Sequence, residues 1–245
     1  MIDLSSTIFQ LKCGPLSDRR LLFFNLPINR TLGNSILVSY TGGIDSALML
    51  YLLAKLNNNQ SIPYFIQPLV IDNRLGSSTD PYNKFADTIT EVWPRIPDTI
   101  NSFRKTFSNS QILPLIKRTG DPSLDRSSQI EQTVLKEFKE GGYEFIYSGI
   151  NDIPGVPECP GGVDRSHIKV VRLPWKLPFL RLKKTHIMDI IIQLEAFEIF
   201  ELCTKCVHHT SLEEVCSGFN CRERWWALRT LQREDLIVKY FLNQS

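Results

Sequence analysis

Two stretches of this chain combine residue types that could do chemistry at the spacing they have. The first is Ser39-Tyr-Thr-Gly-Gly-Ile-Asp-Ser46, which follows a short β-branched run and precedes a helical one. Where a strand turns into a helix, successive backbone N–H groups and the helix N-terminus form a cradle for an anion. Gly42 and Gly43 let the main chain approach a phosphate closely, the hydroxyls of Thr41 and Ser46 can donate to its oxygens, and Ser39 heads the run as a further nucleotide-binding candidate. Asp45, in the first helical turn, can cap the helix or help hold Mg²⁺ beside the phosphates. A tight turn with an aspartate cap and no ligand is the plainer alternative. The chain has neither Gly-x-Gly-x-x-Gly nor Gly-Lys-Ser/Thr, so the dinucleotide fingerprint and the Walker loop are both unsupported.

The second stretch is Cys203-x2-Cys206-x9-Cys216-x4-Cys221, which gathers four of the six cysteines within 19 residues. Six cysteines in 245 residues are too few for a disulfide scaffold, and in a reducing compartment a local cluster points to metal. Four thiolates in two pairs joined by a short loop are what a closed tetrahedral Zn²⁺ site requires, with His208 and His209 as spare ligands. A closed four-ligand site is structural rather than catalytic. The alternative is a set of scattered buried thiols.

The surrounding pattern supplies elements to position these residues. Ser35 to Ser39 reads as a strand, the Gly pair as a turn, and Ala47 to Leu56 as a helix by its apolar spacing. Tyr64 to Ile71 reads as the next strand, with Pro68 arguing for a sheet edge or a bulge. That βαβ unit implies a parallel sheet. From Asn73 to Gln129 the signals are mixed, with helical pieces near Tyr82 to Val92 and Pro97 to Phe107. Asp125 or Ser127 is placed to cap a helix running to Glu140 and ended by Gly141-Gly142. Tyr143 to Tyr147 follows as a strand, Ile153 to Asp164 as a proline- and glycine-rich loop, Ile168 to Leu173 as strand-like, and Lys184 to Phe200 as one continuous helix. The division expected is a nucleotide-binding α/β domain over 1–200 and a zinc-binding segment over 201–245 packed on it.

Composition narrows the function classes. With 28 basic and 26 acidic residues the formal charge is +2, so no global field marks a nucleic-acid or membrane binder. The longest apolar runs, such as Ile187 to Leu194, are interrupted by Asp189 and Gln193 and fall short of the roughly 20 residues that span a bilayer. The N-terminus lacks a basic region before an apolar run and does not read as a secretory signal. The expectation is a cytoplasmic protein with no membrane partner.

Thr41-Gly-Gly-Ile-Asp-Ser46 resembles the Ser-Gly-Gly-x-Asp-Ser signature of PP-loop ATP pyrophosphatases, with Thr41 keeping the hydroxyl where Ser is usual. Together with the cysteine cluster, the chain resembles one PP-loop family, the 7-cyano-7-deazaguanine synthases, which carry a C-terminal zinc site. Four blocks carry the likeness: Val38 to Leu48; Tyr147-Ser-Gly-Ile-Asn-Asp152 leading to Gly155-Val-Pro-Glu-Cys159; Leu173-Pro-Trp through Lys184-Thr-His-Ile187; and Cys203 through Cys221-Arg-Glu-Arg224. Glu158 stands where the family has Asp and Pro160 where it has Arg. Leu124-Asp-Arg126-Ser only partly echoes the family's Pro-x-Arg-Asn, and its three closely spaced cysteines are here reduced to Cys216 and Cys221.

The resemblance implies a doubly wound, mostly parallel α/β sheet of the adenine-nucleotide hydrolase type. It also implies ATP and Mg²⁺ as reactants, Zn²⁺ as a structural ion, and a deazapurine-like carboxylate with ammonia as the acceptor pair. The carboxylate would be adenylated with loss of pyrophosphate and attacked by the amine. In this reading Asp45 and Lys184 are catalytic, Arg126, Asn151, Asp152 and Glu158 bind the acceptor, and Cys203, Cys206, Cys216 and Cys221 hold the metal. Two rival readings stay open: a PP-loop tRNA thiolase, in which Cys203 and Cys206 carry sulfur or an iron–sulfur cluster, and a silent module that binds a nucleotide or modified base. A homodimer and a protein or nucleic-acid acceptor stay open as well.

Overall fold

The computed structural model describes residues 8–26, 35–40, 43–57, 64–72, 111–114, 122–152, 155, 171–202 and 219–241, with backbone alone at 70–72, 111–114, 122–130, 171–172, 201–202 and 219–221. The chain opens with an antiparallel hairpin, β1 (Ile8–Cys13) and β2 (Arg20–Asn25), in which Phe9, Leu11 and Cys13 and then Leu22 and Phe24 point inward at every second position. There follow β3 (Ser35–Tyr40), helix α1 (Ile44–Asn57), β4 (Phe65–Asp72), β5 (Gln111–Pro114), helix α2 (Pro122–Gly141) and β6 (Phe145–Ser148). The chain continues through β7 (Val171–Arg172), β8 (Trp175–Lys176), helix α3 (Lys184–Gln193), the short helix α4 (Glu198–Leu202), helix α5 (Phe219–Thr230) and helix α6 (Glu234–Tyr240).

The main sheet has six strands in the order β5-β4-β3-β6-β8-β7, all neighbours parallel except the β7–β8 pair at the edge. Both faces are covered, as a parallel sheet requires. On β3, Ile36, Val38 and Tyr40 face the large core shared with α1 and α3, while Leu37 points the other way to meet Leu69, Ile146 and Val134 of α2. Helix α1 is the centre of the larger core. All its residues except Asp45 and Lys55 are buried, the pattern of a helix packed on every side. The C-terminal helices belong to that core through Trp225, Leu228, Ile237 and Tyr240. Among the described residues no helix is long and apolar enough to cross a membrane.

Three expectations change. Pro68 lies on an interior strand, since β4 pairs with β3 on one side and β5 on the other. The proline is tolerated because β5 joins only from Leu69 onward, and the Pro68 carbonyl accepts a hydrogen bond from Gln67 Nε2 at 3.0 Å. Helix α2 begins at Pro122, a residue suited to a first helical turn, so Asp125, Arg126 and Ser127 lie inside it rather than ahead of it. The helix expected from Lys184 to Phe200 is two. Leu194 closes α3, Glu195 takes a left-handed conformation with φ of 54°, and α4 starts at Glu198. The apolar spacing runs on across the break because Ile191, Ile199 and Phe200 are buried in the same core. The helical pieces expected between 82 and 107 lie outside the described residues.

Candidate active site

The order of the parallel strands reverses between β3 and β6: the chain builds outward to β4 and β5 on one side, then returns to place β6 and β8 on the other. In open α/β sheets ligands bind beyond the carboxyl ends of the strands at such a switch point. Here the ends that meet are Ser39 and Ser148, paired in register and both buried. Beyond them lie the turn into α1 and the segment Gly149 to Asp152. Gly149 allows the two to touch: a Cβ there would sit 2.8 Å from the Asp45 carbonyl carbon and 2.9 Å from the Ser46 nitrogen. The strand end therefore packs on the first turn of α1 with no room for a side chain.

In that first turn Gly43 O accepts from Ala47 N–H at 3.0 Å and from the Ser46 hydroxyl at 2.9 Å, which starts the helix on the glycine. Asp45 projects from the turn and meets Lys184, the first residue of α3 and 139 positions away. Lys184 Nζ donates to Asp45 Oδ1 at 2.6 Å and Oδ2 at 2.5 Å, and lies 3.0 Å from Glu223 Oε2 on α5. The Lys184 and Glu223 side chains are each 4% exposed, whereas Asp45 is 22% exposed, so the trio is buried behind one carboxylate that reaches solvent.

Burial disfavours a charged ammonium at Lys184, but Asp45 and then Glu223 outweigh it and hold its pKa above the ordinary lysine value. Burial pushes the Glu223 carboxyl up, against the pull of Lys184. Asn151, buried in the segment after β6, adjoins Glu223 and lowers its pKa, although Glu223 Oε1 has no hydrogen bond of proper geometry among the described residues. The arrangement is a fixed cation between two carboxylates, beside the first turn of α1.

Of the residues expected to work together, Ser39, Gly43, Asp45, Ser46, Asn151 and Lys184 converge on this edge. Asp152 turns elsewhere. Its backbone bridges Lys183, its N–H donates to Leu182 O at 2.7 Å, and its carboxylate lies 3.8 Å from Arg20 on the hairpin. Arg126 lies on α2 with its side chain undescribed, and Thr41, Gly42 and Glu158 lie outside the described residues. So do Cys203, Cys206 and Cys216, while Cys221 falls in the first turn of α5 with backbone alone. Among the described residues no three His, Cys, Asp or Glu side chains are grouped to hold a metal ion. Cys13 is a buried thiol with its pKa pushed up to about 12 by burial, inert rather than a ligand.

Glu223 was missed by the sequence reading. Its signal was weak: one acidic residue in Cys221-Arg-Glu-Arg224, where a helix-bound carboxylate between two arginines reads as surface charge. No family model matches the chain, and no curated protein matches it either. Among solved structures it is similar to the U34-tRNA thiolase NcsA from Methanococcus maripaludis, determined with its 4Fe-4S cluster. The TM-score is 0.41 and the identity 15%, over 85% of this chain and 72% of that one.

Proposed function

We propose that this chain is an ATP-using enzyme of the PP-loop class that adenylates a carboxylate on a deazapurine-like acceptor and passes the acyl group to ammonia or an amine. The observation that carries the reading is the contact of Lys184 with Asp45 beside the glycine turn, at the switch point of a doubly wound sheet. A cation held there suits a triphosphate, and a glycine turn at a helix start suits its oxygens. The acceptor oxygen attacks the α-phosphorus as the bond to pyrophosphate breaks. The amine then attacks the acyl carbon, loses a proton, and expels AMP.

Lys184 has the role of keeping a positive charge beside the leaving pyrophosphate, while Asp45 orients it and is the described carboxylate exposed enough to share a Mg²⁺ ion. Magnesium, when bound, supplies further neutralisation of the triphosphate. Asn151 faces this same edge and is the described candidate for contact with the acceptor. Zinc at the four cysteines stays part of the proposal for the C-terminal segment.

The test is incubation of the purified protein with Mg·ATP, ammonia and a panel of carboxylated deazapurines, followed by nucleotide analysis and mass spectrometry of the acceptor. AMP and pyrophosphate released in step with an amide product is the expected result. ADP with orthophosphate would overturn activation at the α-phosphorus, and sulfur delivered to tRNA would move the same adenylate chemistry to thiolation.

A further inference from the structure

We infer that Glu223 is the positioning residue that fixes Lys184 for the triphosphate and ties that lysine to the acceptor side of the site. The inference rests on the ATP-binding reading of this edge. Lysine carries its charge on a flexible four-carbon stem, so a lysine meant to meet a phosphate at one point needs something to hold it. Lys184 has three N–H donors. Asp45 engages it from α1 and Glu223 from α5, so three helices meet at one nitrogen.

A merely structural ion pair would need one carboxylate. This one sets two carboxylates, Asp45 and Glu223, against one cation. A second buried carboxylate adds a desolvation cost that a single ion pair would avoid. The neighbour on the Glu223 side is Asn151, from the segment that follows β6. Glu223 lies 3.0 Å from the Lys184 ammonium, and in this inference it acts through the lysine.

The experiment measures the affinities of Mg·ATP and of AMP for the full chain by calorimetry, in wild type, Lys184→Ala, Glu223→Gln and the double variant. Loss of a charge-assisted contact on the lysine predicts a fall in ATP affinity of roughly ten- to hundredfold in Glu223→Gln, with AMP affinity nearly unchanged. In the Lys184→Ala background the same substitution should have no further effect on the ratio of ATP to AMP affinity. A purely structural role would weaken both ligands alike or lower thermal stability alone.

Should the amide unfold the chain, Glu223→Asp keeps the charge and withdraws it by one methylene, and it should lower the same ratio. Wild-type protein that does not bind Mg·ATP would sink the functional reading itself. Wild type that prefers ATP through Lys184, with Glu223→Gln or Glu223→Asp leaving the preference intact, would overturn this inference alone.

Discussion

Lys183 and Lys184 share a helix start, yet they serve two regions with different physics. Lys183 turns to the hairpin, where its Nζ lies 2.8 Å from Asp18 Oδ2 and both side chains are about a third exposed. Around that pair several contacts reach main chain. Gly14 N–H donates to Asp189 Oδ2 at 2.7 Å, Gln193 donates to Lys12 O at 3.1 Å, Arg20 to Arg181 O, and His186 to Asp18 O at 2.8 Å. The His186 tautomer follows from the bonds: Nδ1 accepts from Lys183 N–H at 3.1 Å, so Nε2 carries the proton, and burial keeps the pKa of the ring below its ordinary value. Lys184 turns inward to two carboxylates in a region almost closed to water. The first region fastens the hairpin to α3 with groups that water would solvate nearly as well. The second keeps buried charge that an apolar core would not need, which is the cost the proposed ATP site would explain.

The comparison breaks most readily on the two lysines themselves. Lys184→Ala leaves Asp45 and Glu223 facing each other with no cation, and breaking a buried pair this way costs about 3–5 kcal/mol. Lys183→Ala removes an exposed pair worth about 0–1 kcal/mol. Urea unfolding of both variants checks the contrast, and equal losses would end it.

Gly14→Ala sharpens the hairpin side. Gly14 has φ of 99°, and a Cβ there would lie 2.5 Å from His186 Cδ2 and 2.6 Å from Asp18 O. Strain at such a position costs on the order of 1–3 kcal/mol, more than the exposed ion pair beside it. Faster hydrogen exchange in β1 and β2 than in β3 is the expected mark, because the hairpin should loosen from α3 while the central sheet stays closed.

What could be read from the sequence divides along the same line. The strand Ser35 to Tyr40 and the helix Ile44 to Asn57 were legible because β-branched run and helical spacing agree with the glycines between them. The parallel sheet followed from them. The hairpin was hidden by Leu21-Leu22-Phe23-Phe24, an unbroken apolar run whose outward members, Leu21 and Phe23, stay exposed and so mask the alternation. The break at Leu194 to Ala196 was hidden because burial continues through it, and periodicity reports burial rather than hydrogen bonds. Asp45 and Lys184 were each named as catalytic candidates, but no local pattern says that residues 139 positions apart meet. Glu223 could not be named at all without knowing that α5 packs on α3.

The smallest effect expected is a pH dependence at Asp18. Hydrogen bonds from Arg20, at 3.0 and 3.2 Å, and then from Lys183 hold this carboxyl at about 2, against an ordinary value of 3.8, with His186 Nε2 3.8 Å away. Between those two values the unfolded chain binds the proton and the folded chain does not, so folding stability falls as the pH falls. The contribution is complete above about pH 4 and lost by about pH 2. Because the Asp18 side chain is 31% exposed and screened by solvent, the whole effect should stay within about 1 kcal/mol. His186, whose pKa is lowered by burial, adds its own loss of stability as the pH falls below the ordinary histidine value, a higher window. Below the histidine window, where His186 is charged in both proteins, subtracting the stability of Asp18→Asn from that of wild type isolates the aspartate, since the amide has no proton to bind there. Read below the histidine window, the difference should shrink from about pH 4 toward pH 2. A difference that stays constant to pH 2 would mean that Asp18 is not held by the cations around it, and the hairpin region would then lean on its other contacts, such as Gly14 N–H to Asp189 and Arg19 to Asp189.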